Sequence, residues 1–285
     1  MMRGKRDIAI AVRRPDASIV IEEERLRPWS ERYPMLKLPI LRGFIALIES
    51  MLMGLRALNY SANQAAEAEG EEISSWEMAI AMIVAVVMAV VLFVVVPTGA
   101  VHFVRGWVPN VFMQNLIEGV LRIAVFLLYV VAISRMRDIQ RVFEYHGAEH
   151  KVIHTYEAGV PLTVDHARGY SILHPRCGTS FLLVVMVASI LVFSFLGNGT
   201  IWWKLGSRVV LLPLVAGLGY EVIKWSSRHQ DGWFGRVLTA PGLWLQHFTA
   251  KEPDDEQLEV ALTALKQVLT IEGISFKDVE VFGDA

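Results

Sequence analysis

Residues 144–154 read E-Y-H-G-A-E-H-K-V-I-H, with three histidines and two glutamates in eleven positions. Positions four apart on an α-helix lie one above the other, so a helix here sets His146, His150 and His154 on one face. Imidazole and carboxylate are the groups that zinc and related divalent ions accept. The order His146-x-x-Glu149-His150 is that of inverted zinc proteases, in which two histidines hold the ion and the glutamate activates water. A divalent metal, zinc foremost, is therefore the expected cofactor. His146 and His150 are its expected ligands, and Glu149 is the expected catalytic base. Glu221, about seventy residues after His150, lies where such proteases supply a third ligand from a later helix.

A second run, H-P-R-C-G-T-S at residues 174–180, holds His174, Arg176 and Cys177, the only cysteine in the chain. Pro175 and Gly178 shape a stiff turn. Within it Cys177 is either a buried, inert thiol or a ligand or nucleophile served by a histidine. A lone cysteine excludes an internal disulfide, which suits a cytoplasmic site.

These residues have to be carried by a membrane protein. Of 285 residues, 54% are hydrophobic and only 20% charged. Four apolar runs approach the length that crosses a bilayer: residues 78–96 ended by Pro97, 116–134, 179–196 ended by Gly197-Asn198-Gly199, and 206–223. Cations concentrate before the first run, between the second and third (Arg135, Arg137, Arg141, Lys151, Arg168, Arg176), and after the fourth. The positive-inside rule then puts both termini and the histidine segment in the cytoplasm, in a multi-pass protein of the inner (plasma) membrane. That topology brings His146, His150, His174, Cys177 and Glu221 to one layer at the inner surface, with His174 or Glu221 as third ligand. The basic N-terminus has no cleavable signal peptide. A net charge of −2 gives no overall basic field for nucleic acid.

The expected fold is mainly α. It has about four transmembrane helices, an interfacial helix, a small N-terminal β-hairpin and a cytoplasmic C-terminal α/β segment. Residues 1–37 hold the hairpin, from the apolar stretches 7–12 and 18–22 around Arg14-Pro15-Asp16-Ala17. Residues 38–60 form an interfacial or re-entrant helix whose charges Arg42, Glu49 and Arg56 recur every seven positions. Residues 61–77 are an acidic linker. Residues 78–134 carry the first two spans, 135–178 the polar motifs, and 179–223 the last two spans. Residues 224–285 hold an amphipathic helix opened by Asp254 and Asp255, then a strand near 274–282. Glu118 and Arg122, four apart on span two, and Arg208 on span four read as an ion-paired pin near the outer membrane end.

The runs E-Y-H-G-A-E-H-K-V-I-H-T-Y-E-A-G, H-P-R-C-G-T-S-F-L-L, G-Y-E and P-G-L-W-L-Q-H-F-T-A-K-E-P-D-D-E-Q-L-E-V-A closely resemble the DUF1385 (YqhQ-like) family of bacterial membrane proteins. The resemblance covers nearly the whole chain from Met2-Arg3-Gly4. It implies that Glu144, His146, Glu149, His150, His174, Arg176, Cys177 and Glu221 are the signature polar positions; His154 is a further candidate from its helical spacing alone. It also implies a metal-dependent enzyme, and a Gly-rich stretch ahead of Met-Arg-Gly in the family. Two functions compete. One is a metal-dependent hydrolase-like enzyme at the cytoplasmic membrane interface. The other is a non-enzymatic accessory or scaffold for membrane-protein insertion, with a translocon or envelope complex as partner and the histidines as a structural knot. A transporter fits less well, because the spans lack an ionisable cluster at their midplane.

Overall fold

Strand β2 (Asp7–Arg13) reads D-I-A-I-A-V-R, and the alternation of large and small side chains sets how the N-terminal part packs. In the computed structural model, which describes residues 1–69, 75–104, 106–197, 200–229 and 232–274, β2 is the centre of a three-stranded antiparallel sheet. Its neighbours are β1 (Met2–Arg3) and β3 (Ile19–Arg25), and the hairpin register runs from Asp7 opposite Arg25 to Arg13 opposite Ile19. Ala17 turns the chain with a positive φ of 67°, and Asp16 accepts from the Ser18 amide at 2.9 Å.

A hairpin alone is marginal, and this one is covered on both faces. Ile8 and Ile10 pack with Met53 and Ala57 of α2 (Leu41–Glu69). Ala9 and Ala11 belong to the largest core. Its other members are Leu258, Leu262 and Leu265 of α11 (Asp255–Ile271), Ala148 and Val152 of α6 (Arg137–Glu157), and Ala167 of α7 (Val164–Arg168). The two ends of the chain therefore meet on the helix that carries the histidines. Helix α11 starts with a capping box in which Asp254 and Gln257 satisfy each other's backbone amides.

Helix α2 runs further than expected, and the reading of residues 61–77 as a linker is corrected up to Glu69. The Ala-rich sequence there favours helix. Its end is tied to the hairpin, since buried Gln64 accepts from Arg14 Nε at 2.7 Å. Residues 70–74 of the expected linker lie outside the described residues, as do 198–199 of the expected Gly-Asn-Gly turn and 275–282 of the expected C-terminal strand.

Among the described residues, three helical stretches are long and apolar enough to cross a membrane: Trp76–Phe103, Val111–Ile133 and Gly206–Ser226. The first combines α3 (Ser75–Val90), a π-helical turn (Val91–Val95) and α4 (Val96–Val104), so Pro97 does not end it as expected. Proline has no N–H to offer the Phe93 carbonyl four residues back. The guanidinium of Arg122 donates to that carbonyl instead, with Nε at 2.9 Å, and the helix continues. Arg122 lies on α5 (Val111–Ile133), which Asn110 caps through the Phe112 amide. The expected third crossing is shorter than the others. Helix α8 (Gly178–Ser194) has 17 residues, about 25 Å at 1.5 Å per residue. The last stretch lies in α9 (Ile201–Arg228).

Between the apolar helices, Glu118 is 1% exposed and accepts from Thr98 Oγ1 at 3.0 Å, from Arg122 Nη2 at 3.1 Å and from Arg208 Nη2. One carboxylate thus ties α4, α5 and α9. Helix α10 (Trp233–Thr249) packs on α8 and α9, with Gly242 so close to Ser180 that a Cβ would collide with it. Leu245 joins Val130 and Leu183 in a buried apolar cluster.

Candidate metal centre

Gly147 explains how the site is assembled. A Cβ at this position would overlap the Lys251 carbonyl oxygen, so only glycine leaves a notch for the chain after α10 to lie against α6. Lys251 N donates to Phe143 O at 2.9 Å, which holds the two segments together. The Thr249 carbonyl is thereby brought to His146, and Nδ1 of that ring donates to it at 2.7 Å. A second strap, residues 171–177, crosses the same face of α6. His150 Nδ1 donates to Ile172 O at 2.5 Å, and His154 Nε2 donates to Leu173 O at 3.0 Å. Fully buried Gln246 of α10 clamps the strap through both its amide atoms, accepting from His174 N at 2.8 Å and donating to His174 O at 2.9 Å.

The strap ends at Cys177, the N-cap of α8, whose Sγ lies 3.1 Å from His146 Nε2 and 3.2 Å from Thr179 Oγ1. His146, His150 and Cys177 form one group with ligand atoms within 4.8 Å of one another. A carbonyl only accepts, so the Nδ1 protons of His146 and His150 are committed to Thr249 and Ile172, and Nε2 is the nitrogen each ring can offer a metal once it is deprotonated. Histidines that bind metals are oriented in this way, by a donor bond from the other ring nitrogen. Burial raises the Cys177 thiol pKa, yet the bonds from His146 and His150 outweigh it and bring the thiol down to about 5. Burial likewise lowers His146, and the Cys177 contact overrides it and lifts the ring to about 9. Without an ion the pair is thiolate and imidazolium at neutral pH. Two oriented imidazoles and a readily ionised thiol fit a divalent ion as a donor set.

His154, Glu157 and His174 form a second group with the same spread. Here the chemistry differs. His174 Nδ1 accepts from the Arg176 amide at 3.2 Å, so the proton of the neutral ring sits on Nε2, 3.5 Å from Glu157 Oε2. Burial, and after it His154, push His174 down to about 4, which keeps it neutral. Presenting an Nε2 lone pair to a metal would require giving up the Arg176 bond. Glu157 also accepts from the Arg176 guanidinium. This group is a hydrogen-bonded extension of the first: the His150 and His174 rings are 5.6 Å apart, and those of His154 and His174 are 4.6 Å apart.

The remaining expected site residues lie elsewhere. Glu221 accepts from Arg42 Nε at 2.6 Å and from Arg42 Nη2 at 2.5 Å, and belongs to neither group. It joins α2 to the end of α9. Glu149 Oε1 accepts from the Met1 amino group at 2.7 Å. Glu144 accepts from Gln257 Nε2 at 2.9 Å, and so extends the cap of α11. Three participants escaped the reading of the sequence: Gly147, Gln246 and the Thr249 carbonyl. The first two stand inside the quoted motifs, so the signal was present without a role attached to it. The carbonyl has no side-chain signature at all.

A mainly helical protein with apolar spans, a sheet-and-helix head and a His-His-Cys group between them defines the class. The chain belongs to the family described as protein of unknown function (DUF1385), whose model matches residues 38–271. It is 33% identical to the "Uncharacterized protein YqhQ" of Bacillus subtilis (strain 168) over 288 residues, 96% of this chain and 91% of that protein. No solved structure matches.

Proposed function

We propose that the protein is a metal-dependent membrane enzyme with its centre at the cytoplasmic surface of the bilayer. His146 Nε2, His150 Nε2 and Cys177 Sγ hold the ion. The carrying observation is the commitment of both Nδ1 protons to backbone carbonyls, which leaves Nε2 of each ring as the ligand atom grouped with one ionisable thiol. Three protein ligands leave a coordination position free, the pattern of catalytic rather than structural zinc sites. Bound there, a divalent ion supplies a Lewis acid suited to hydrolysis of an ester or amide. The neutral His174 and the partly exposed Glu157 carry protons between this centre and solvent. In this reading α8 is the third of four crossings, and the basic segments around α6 and at both ends of the chain face the cytoplasm.

Metal analysis of the purified full-length protein tests the reading. The expected result is about one zinc or similar divalent ion per chain. His150→Ala and Cys177→Ala lose it, while His174→Ala keeps it. A natively folded wild type that stays metal-free after incubation with zinc rejects the centre. Loss of the ion from His174→Ala rejects this ligand assignment.

A further inference from the structure

A cavity away from the histidines lies between the sheet and α2. It measures about 120 Å³, well above the ~10–15 Å³ that one water needs. Arg3 of β1, Arg27 after β3 and Arg56 of α2 line it, facing the carboxylates of Glu24 and Glu49. Both carboxylates are engaged: Glu24 accepts from Arg56 Nη1 at 2.7 Å, and Glu49 accepts from the Trp29 amide at 2.7 Å. The side chains of Arg3 and Arg27 have no hydrogen-bond or ion-pair partner among the described residues. Two uncommitted guanidiniums in a cavity of net positive charge match a phosphate, which takes forked N–H donors in pairs.

The cavity walls show where that phosphate comes from. Trp29 and Leu52 line the cavity and are 44% and 42% exposed, so the rim is apolar and continues outward. Tyr33, Met35 and Leu38 stand exposed just beyond, interleaved with Arg32 and Lys37. Aromatic, apolar and basic side chains mixed along one short segment are the composition of a membrane–water interface. The depth agrees. Glu49 is seven residues from Arg42, about 10 Å along α2, and Arg42 is bound to Glu221 at the end of a stretch long enough to cross the bilayer. A soluble phosphate needs no such rim.

We propose that this cavity binds the phosphate of an anionic phospholipid, with its acyl chains laid along Trp29 and Leu52. The site is separate from the metal centre and does not depend on it. The test is native mass spectrometry of the full-length protein in detergent, titrated with phosphatidylglycerol, phosphatidylcholine or glycerol 3-phosphate. Phosphatidylglycerol is expected to be retained over phosphatidylcholine. The Arg3→Gln/Arg27→Gln double variant should bind it at least about tenfold more weakly, at an unchanged melting temperature, because each arginine near an anionic lipid surface is worth roughly a factor of five. Lys266→Gln, on α11 and away from the cavity, should bind as wild type. Wild-type retention by the double variant, or equal binding of phosphatidylcholine, overturns the site. Displacement of the lipid by an equal concentration of glycerol 3-phosphate overturns the lipid as its ligand.

Discussion

A neutral imidazole has one proton and one lone pair, and the partner of the proton decides what the other nitrogen can do. His146 and His150 spend their Nδ1 protons on Thr249 and Ile172, whereas His174 accepts at Nδ1 and keeps its proton on Nε2. Three rings only a few ångströms apart thus divide into two that can offer Nε2 and one that keeps its proton there. The same contacts make a pH prediction for metal-free protein. Cys177 is depressed, so its thiolate stabilises the fold above its ordinary pKa, and that contribution is lost as pH falls through about 5. His146 is raised, so its contribution is complete below the ordinary histidine pKa and is lost as pH rises through about 9. Alkylation of the metal-free thiol by iodoacetamide in mild denaturant-free buffer should therefore persist down to about pH 5. Titration near the ordinary thiol pKa instead would show that the His146 contact does not form. Added zinc should protect the thiol in the wild type and fail to protect it in His150→Ala.

At the scale of elements, the centre depends on how closely backbone passes backbone. Gly147 lets the segment after α10 touch α6, and Gln246 ties the 171–177 strap to α10. Gly147→Val should cost about 1–3 kcal/mol through forced backbone shifts, seen as a lower melting temperature, and it should also release the metal. An unchanged melting temperature with metal retained would mean that the two segments do not meet. Local pattern was enough to expect the histidine helix, the hairpin and the last amphipathic helix, because each is set by neighbours in sequence: four-residue spacing, apolar stretches around a turn, and acidic residues opening an amphipathic run. The continuation past Pro97 was not legible. It depends on Arg122 from another helix filling the carbonyl that proline leaves without a donor. The helical character of residues 61–69 was hidden for a related reason, since the Arg14 contact to Gln64 comes from the hairpin.

For the whole molecule, Glu118 is the feature that the apolar helices share. Removing it strands two guanidiniums in an apolar setting, and breaking a buried pair costs about 3–5 kcal/mol. Glu118→Leu is expected to lower thermal stability in detergent strongly, and the Glu118→Leu/Arg208→Leu double variant should recover a large part of the loss. A double variant no more stable than the single one would show that Arg208 is not the partner that matters. The head is just as interlocked, since the first strand, the histidine helix and the last helix share one core. Damage to the first strands or to α11 should therefore reach the His146–His150–Cys177 group.

By itself the sequence determined that the chain carries apolar spans, that three histidines share a helix face, and that a hairpin and an amphipathic helix flank them. Each of these follows from composition or from residues a few positions apart. Only the tertiary structure decided that Cys177 rather than Glu221 meets His146 and His150, and which ring nitrogens are free. The deciding atoms are backbone carbonyls up to 103 residues away in the chain and an arginine on another helix. A carbonyl is common to every residue, so its position cannot be read from residue type and emerges only when the helices pack.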